Sequence, residues 1–150
     1  MKKTKVIGLS TRILFILTML IVVISFYSII GFISSISGET FKLNMDKNES
    51  TGDWALTLNA SPTNKGFLDL SLFIELTLFD SNDQVIARGS KHVLVKAGES
   101  ETFSVALNIP AEFVPSGDLE NAKGTFQMEL RVRTLGDLVG LTQIMKIKGG

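Results

Sequence analysis

GFLDLSLFIELTLFD (residues 66–80) is the most apolar stretch of this 150-residue chain outside its N-terminus. Leucine or isoleucine occupies every even position from Leu68 to Leu78. A period of two is typical of a β-strand that buries one face. Asp69 and Glu75, together with the shortness of the stretch, argue against a second membrane helix. We therefore predict a core strand whose even positions face the protein interior, against Trp54, Phe103 and Phe126.

The odd positions of this stretch have a mixed character. Phenylalanines alternate there with Asp69, Glu75 and other polar residues. The acids indicate contact with water, whereas the aromatic rings need cover, so this face is a candidate interaction surface. Arginines on the outer face of a later strand extend it, although a solvated sheet face is the alternative for them. The candidate face consists of Phe67, Phe73, Phe79, Arg131 and Arg133.

Shorter alternating segments lie on both sides of this strand, and clusters of Gly, Pro, Asn, Asp and Ser separate them. The prolines fall between the segments, where a missing N–H costs no ladder hydrogen bond. Regularly spaced strands of this kind predict an all-β antiparallel sandwich or barrel of about seven strands. Residues 116–124 form a polar loop, and residues 135–140 fit either a bend or a bulge. The predicted strands cover residues 40–45, 54–59, 66–80, 85–87, 92–95, 103–109, 125–133 and 141–148.

The N-terminus predicts a membrane segment. Residues 1–12 contain Lys2, Lys3, Lys5 and Arg12 but no acid, and residues 13–36 contain no charge. As a helix, that uncharged stretch would be about 36 Å long, enough to cross a hydrocarbon core of roughly 30 Å. Because basic flanks stay inside, we predict a cytoplasmic N-terminus (1–12), a transmembrane signal anchor (13–37) and an extracytoplasmic sandwich domain (38–150). The predicted location is the cell membrane, crossed once.

A cleaved signal peptide is the competing interpretation of the N-terminus. Ser35 and Ser37 are small residues at a spacing that a signal peptidase accepts. The apolar region of a signal peptide is usually shorter than this one, which favours an uncleaved anchor. Either interpretation places residues 38–150 outside the cytoplasm.

The composition excludes several classes of function. The formal net charge is zero, which argues against nucleic-acid binding through a basic surface. The chain has no cysteine and one histidine, so disulfides and thiolate metal sites are excluded and most histidine-based sites are disfavoured. No P-loop, Gly-x-Ser-x-Gly or His-Glu-x-x-His motif is present.

Two groups of residues remain as weak chemical candidates. His92 could act as a general base, but a strand histidine without a catalytic role explains it better. Asp80, Asn82 and Asp83 could bind calcium, but an EF-hand loop needs more ligands and a distal glutamate. A hairpin turn accounts for these residues, because Asp and Asn side chains cap their own backbone. We predict that the chain is not an enzyme and has no cofactor, metal or small-molecule substrate.

Residues 54–109 carry a family resemblance. Asn59 and Pro62 lie at a first turn, with two residues between them. Ala87-Arg88-Gly89 supplies a small residue followed by glycine after the long apolar strand, and the segment 96–100 (KAGES) forms a second turn. This pattern resembles the water-stress and hypersensitive-response (WHy) domain of type-2 late embryogenesis abundant proteins. The resemblance implies a seven-stranded Greek-key β-sandwich, often carried on one membrane span, without catalytic residues and with roles in stress protection and surface interaction.

Three functional hypotheses follow. The first is a membrane-anchored binding module whose partner is an envelope protein, the surface layer or the lipid headgroup zone. The second is a structural subunit of a cell-surface filament or envelope assembly, since an exposed apolar strand can pair with another chain. The third is protection of the membrane or of neighbouring proteins under stress.

Overall fold

A computed structural model describes residues 2–36, 40–114 and 123–148, with side chains from Thr11 onward. These residues form one helix followed by seven strands, as predicted. A cleavage site after Ser37 and residues 116–122 of the polar loop lie outside the described residues. The elements are α1 (Lys2–Ser35), β1 (Phe41–Lys47), β2 (Trp54–Ala60), β3 (Leu70–Phe79), β4 (Val85–Val95), β5 (Phe103–Ile109), β6 (Thr125–Thr134) and β7 (Val139–Lys148).

The strands form two antiparallel sheets that pack face to face. One sheet has the order β1-β2-β5 and the other the order β4-β3-β6-β7. The pairs β2–β5 and β3–β6 join strands that are not consecutive in the chain, as Greek-key sandwiches do. The all-β sandwich predicted from the spacing of the strands is therefore confirmed.

The central strand of the larger sheet is β3, and its even positions form the middle of the core. Every one of them from Leu70 to Leu78 is fully buried. Phe103 and Phe126 are also buried in this core, whereas Trp54 is half-buried at its edge. Burial of one such aliphatic side chain contributes about 1.5–3 kcal/mol to folding, so this strand is a main source of stability.

The structure differs from the predicted strands in two places, and at residues 135–140 it has the bend and not the bulge. The strand β3 begins at Leu70 instead of Gly66, because residues 61–69 form a loop with its own hydrogen bonds. The two strand-like pieces near His92 belong to one continuous strand, β4. In its polar middle, Ser90 and His92 lie on the outer sheet face, and Lys91 is exposed at the sheet edge. Residues 135–138 form the β6–β7 turn, in which Leu135, Gly136 and Asp137 have positive φ angles of 54°, 61° and 72°.

A close contact between β4 and β5 closes one side of the sandwich. A Cβ atom built on Gly89 would lie 2.1 Å from the carbonyl oxygen of Ala106. Only glycine allows two backbones to approach this closely. On the other side, β1 and β7 are the edge strands, and neither pairs with a further strand in the described part of the chain.

The helix is attached to the sandwich through side-chain contacts as well as through the chain. Its segment Thr11–Ser35 has a mean hydropathy of 2.8 over its most apolar window and is long and apolar enough to cross a membrane. Within this segment, residues 11–20 are exposed, but a stripe of residues near the C-terminal end packs against the sandwich. The buried residues of this stripe are Ser25, Ser28, Ile29 and Phe32.

Candidate interaction surfaces

The outer face of the four-stranded sheet carries an aromatic–cation pair. Phe73 on β3 lies opposite Arg131 on β6, whose guanidinium carbon is 4.8 Å from the centre of the ring. Such a pair contributes about 0.5–1 kcal/mol at an exposed site. Arg131 also forms an ion pair with Glu129, and the hydrogen bond between them raises the pKa of the guanidinium further above its usual value. The arginine is thus held across the sheet surface.

A polar hollow adjoins this pair. The hydroxyl of Ser71 and the Nε2 atom of His92 are 2.6 Å apart. Together with Phe73, Arg131, Arg133 and Asp137 they line a shallow cavity of about 180 Å³. The hollow is open to solvent because it lies on a sheet face.

The Ser71–His92 pair can be compared with the serine and histidine of a hydrolytic triad. In a hydrolytic triad, an acid orients the histidine and stabilises its charged form. Among the described residues, no carboxylate hydrogen-bonds the other ring nitrogen of His92. Asp137 lines the same hollow as Arg131 and Arg133, but no hydrogen bond joins it to His92 in the described part of the chain. The described hydrogen bonds therefore do not complete a triad.

The predicted interaction face is divided by the structure. Phe73, Arg131 and Arg133 lie together on the outer sheet face. Phe79 is at the far end of β3, six positions or about 20 Å from Phe73. Phe67 precedes β3 and instead stacks on Tyr27 of the helix, with ring centres 5.7 Å apart.

The loop around Asp80 is a hairpin turn capped by its own carboxylate. The Oδ1 atom of Asp80 accepts hydrogen bonds from the backbone amides of Asn82 and Gln84, each at 2.8 Å. The hydrogen bond from Gln84, followed by those from Asn82, lowers the pKa of Asp80, and burial opposes it. Within the described residues, no group of three or more His, Cys, Asp or Glu side chains could hold a metal ion.

The open side of the sandwich contains an apolar groove that the sequence did not predict. It has a volume of about 540 Å³ and lies between β1 and β7. Its floor reaches the core at Leu58 and Leu76. The residues on its walls are exposed to a degree unusual for large apolar side chains: Leu43 at 48%, Met145 at 43% and Ile147 at 47%. Periodicity predicts each wall strand separately, but it does not show that the two edges face each other.

Charged residues accompany the groove. Lys42 and Lys47 lie on β1, and Lys146 and Lys148 lie on β7. Lysines on edge strands disfavour pairing between identical edges, because the like charges repel. The same charges would favour a different partner that carries acidic residues.

The end of the sandwich near the helix is built around Asn64, which the sequence analysis did not single out. Its buried amide donates to the carbonyls of Leu68 (2.8 Å) and Val95 (3.0 Å) and accepts from the amide of Gly66 (2.9 Å). These bonds hold the loop 64–68 against the end of β4. The sequence signal for this turn was Asn64-Lys65-Gly66, because an Asn-x-Gly sequence is typical of an Asx turn.

The same loop contacts the helix. The amide of Phe67 donates to the Ser28 hydroxyl at 3.1 Å, and a Cβ atom on Gly66 would lie 2.6 Å from the Cβ atom of Ser28. The hydroxyl of Ser35 donates to the carbonyl of Thr63 at 2.9 Å. Serines within an otherwise apolar helix were the sequence signal for this junction, since small polar residues allow close contacts between elements.

No protein-family model matches the sequence, and no curated protein matches it either. Among solved structures, a Bacteroides uniformis β-glucuronidase is similar, with a TM-score of 0.50 and 13% identity over 74% of this chain. A glycosyl hydrolase family 2 member from Bacteroides cellulosilyticus DSM 14838 has a TM-score of 0.47 and 15% identity over 73% of this chain. The matched region spans 13% and 14% of those chains, respectively. At such identities the likeness shows the sandwich fold alone.

Proposed function

We propose that this chain is a non-enzymatic binding module that its N-terminal helix anchors at the outer surface of the cell membrane. The helix crosses the membrane once, with residues 1–12 in the cytoplasm and the sandwich outside. The observation that carries the proposal is the apolar groove between the free edges of β1 and β7.

The groove suits an extended segment of an envelope protein. An added strand would hydrogen-bond the unpaired backbone of β1 or β7, and its alternate side chains would enter the groove. The exposed side chains of Leu43, Met145 and Ile147 would then leave water, which contributes about 25 cal/mol per Å² of apolar area. Acidic residues beside that segment would be attracted to the edge lysines.

The orientation rests on the charges that flank the helix. Residues 1–12, before the apolar segment, contain four basic residues and no acid, whereas Lys42 and Lys47 after it are balanced by Glu39 and Asp46. Positively charged flanks are retained in the cytoplasm, which directs residues 38–150 to the outside. The resemblance to WHy domains supports an envelope role, and stress protection through such binding is part of the proposal. Unchanged survival of a deletion strain after drying would count against that part.

Site-specific crosslinking in the native membrane tests the binding function. A photoreactive amino acid at position 43 or 145 should capture the same partner, whereas one at position 94 should not. Leu94 is a matched control because it is exposed at 55% but lies on the outer face of β4. The partner should also co-purify with the full-length chain and be lost on Met145→Lys but retained on Leu94→Lys. Equal capture from positions 94 and 145, or retention of the partner by Met145→Lys, would contradict the groove as the binding site.

A structural subunit of a surface filament is the second candidate. The observation in its favour is that β1 and β7 each have one free edge in the described chain, so copies could join edge to edge. The edge lysines oppose such pairing. If the chain polymerises, full-length protein in detergent should form a series of larger species as its concentration rises, and Met145→Lys should abolish them. A single species of one-chain mass at high concentration would exclude this function.

A further inference from the structure

We propose that the end of the sandwich beside the helix is immersed in the interfacial zone of the outer leaflet, where Phe67 and Leu138 contact lipid. This inference rests on the membrane anchoring of the proposed function. It assigns a second interaction surface, distinct from the groove, whose partner is the bilayer that the helix crosses.

The contacts between helix and sandwich set a common depth for both. Ser28 is in contact with Gly66 and accepts the hydrogen bond from the amide of Phe67. The Tyr27 ring stacks on the Phe67 ring at an interplanar angle of 22°. The loop itself is held by the buried amide of Asn64. Phe67 therefore lies at the level of Tyr27 along the helix.

The opposite side of the helix at this level requires an apolar environment. Ser25 and Ile29 are buried against the sandwich, yet Phe26 and Ile30 on the same turns are 51% and 60% exposed. A helix turn that stood in water would carry polar residues on its exposed side. The same turns of the helix thus contact lipid on one side and the sandwich on the other. The end of the sandwich therefore lies at the depth of the bilayer.

The length of the helix leads to the same conclusion. A hydrocarbon core of roughly 30 Å takes up about 20 helical residues. Tyr27 is only about 22 Å beyond Arg12 along the helix axis. Moving Tyr27 fully out of the outer leaflet would draw Arg12 into the hydrocarbon, which is unfavourable for a charged side chain. Tyr27 thus lies within the bilayer or at its boundary, where tyrosines are enriched.

Two apolar side chains at this end of the sandwich are suited to lipid, and Asp69, Arg133 and Asp137 beside them would meet the headgroups. Phe67 and Leu138 are 72% and 84% exposed. Phe67 shortly precedes Leu70, where β3 begins, and Leu138 shortly follows Thr134, where β6 ends. Because Leu70 pairs with Thr134, both side chains lie at the same end of the sandwich. Exposed rings and leucines of this kind are unfavourable in water but enter the boundary between headgroups and acyl chains readily.

Fluorescent labels can measure this depth directly, since the chain has no cysteine of its own. Single cysteines at Leu138→Cys and, as a control, at Asn82→Cys in the β3–β4 turn at the other end would carry the dye NBD. The full-length protein is reconstituted into phosphatidylcholine vesicles with or without doxyl-labelled lipid. We expect blue-shifted emission and several-fold stronger doxyl quenching at position 138, and several-fold stronger iodide quenching at position 82. Equal doxyl quenching at the two positions would overturn the inference.

Two further measurements separate the causes of failure. A protein that does not float with the vesicles is not anchored in them, and this result would overturn both the proposed anchoring and the present inference. A protein that floats with the vesicles but whose label at position 138 is exposed to water would overturn the present inference alone. Gly66→Ala should separate the sandwich from Ser28 and reduce doxyl quenching at position 138 at least twofold. Gly31→Ala is the matched control, because a Cβ atom there meets nothing within 4 Å. Unchanged quenching in Gly66→Ala would show that this contact does not set the depth.

Discussion

The backbone amide of Phe67 donates a hydrogen bond to the hydroxyl of Ser28, which lies 39 residues earlier in the chain. The bond joins a loop of the sandwich to an apolar helix near the C-terminal end of that helix. It makes the helix part of the folded unit, whereas a helix that served only as a tether would leave the domain free to tilt and rotate. With the helix in the membrane as proposed, this junction would set the position of every surface of the sandwich relative to the bilayer.

Loss of that hydroxyl should loosen the junction without unfolding the sandwich. Ser28→Ala leaves the Phe67 amide unpaired, which costs about 1 kcal/mol. Hydrogen exchange of the full-length protein in detergent should then become faster in residues 64–68. Ser34→Ala is the matched control, since its hydroxyl only donates to the Ile30 carbonyl of the same helix. Similar exchange in both variants would contradict the role of Ser28.

Asn64 should be the most sensitive polar residue of the sandwich. Asn64→Ala leaves the carbonyls of Leu68 and Val95 without their donor and removes the acceptor of the Gly66 amide. We expect a loss of about 2–3 kcal/mol in the free energy of unfolding, because the groups left behind are buried. Denaturant unfolding followed by the fluorescence of Trp54, the only tryptophan, measures it. Asn44→Ala on exposed β1 should change stability little, and an equal effect of the two variants would refute the prediction.

Gly89 should tolerate no side chain. In Gly89→Ala the added methyl group would overlap the carbonyl of Ala106, so β4 and β5 must move apart. Overpacking of this kind costs about 1–3 kcal/mol. Thermal unfolding monitored by circular dichroism should show the loss, whereas Ser90→Ala at the exposed neighbouring position should unfold near the wild-type temperature. A stable Gly89→Ala protein would mean that the two strands are not in contact.

The Asp80 cap should contribute to acid sensitivity. Hydrogen bonds from the backbone lower its pKa in the folded state, so the folded protein binds fewer protons than the unfolded chain there. The resulting stabilisation of the folded protein is complete at pH values above the pKa of an aspartate in the unfolded chain, about 3.9. It disappears as the pH falls through the lower pKa that Asp80 has in the folded protein.

Asp80→Asn removes this titration, so its stability should fall less steeply than that of the wild type as the pH drops below about 4. Asp46→Asn is the control for the change in net charge, since no hydrogen bond to the Asp46 side chain is found in the described structure. Unfolding midpoints at a series of acidic pH values provide the test. Parallel curves for wild type and Asp80→Asn would exclude a contribution of the cap.

Alternation along the chain was sufficient to predict the all-β class and the buried faces of the central strands β2, β3, β5 and β6. The even positions from Leu70 to Leu78 are buried because side chains of a strand point to alternate faces, so local sequence already separates core from surface. The uncharged N-terminal segment likewise predicts a helix, since its length and composition do not depend on the rest of the fold. Those properties were set by residues close together in the chain.

The surfaces were decided by contacts between distant residues. Alternation extended to Gly66 would place Phe67 on the same sheet face as Phe73. Instead, the strand begins only at Leu70, the hydrogen bonds of Asn64 hold the preceding loop, and Phe67 stacks on Tyr27. The groove exists because β1 and β7 are brought to the same side by the pairing of β2 with β5 and of β3 with β6. A period of two determines which way a side chain points within its strand, but only the packing of the two sheets and the helix determines what it meets.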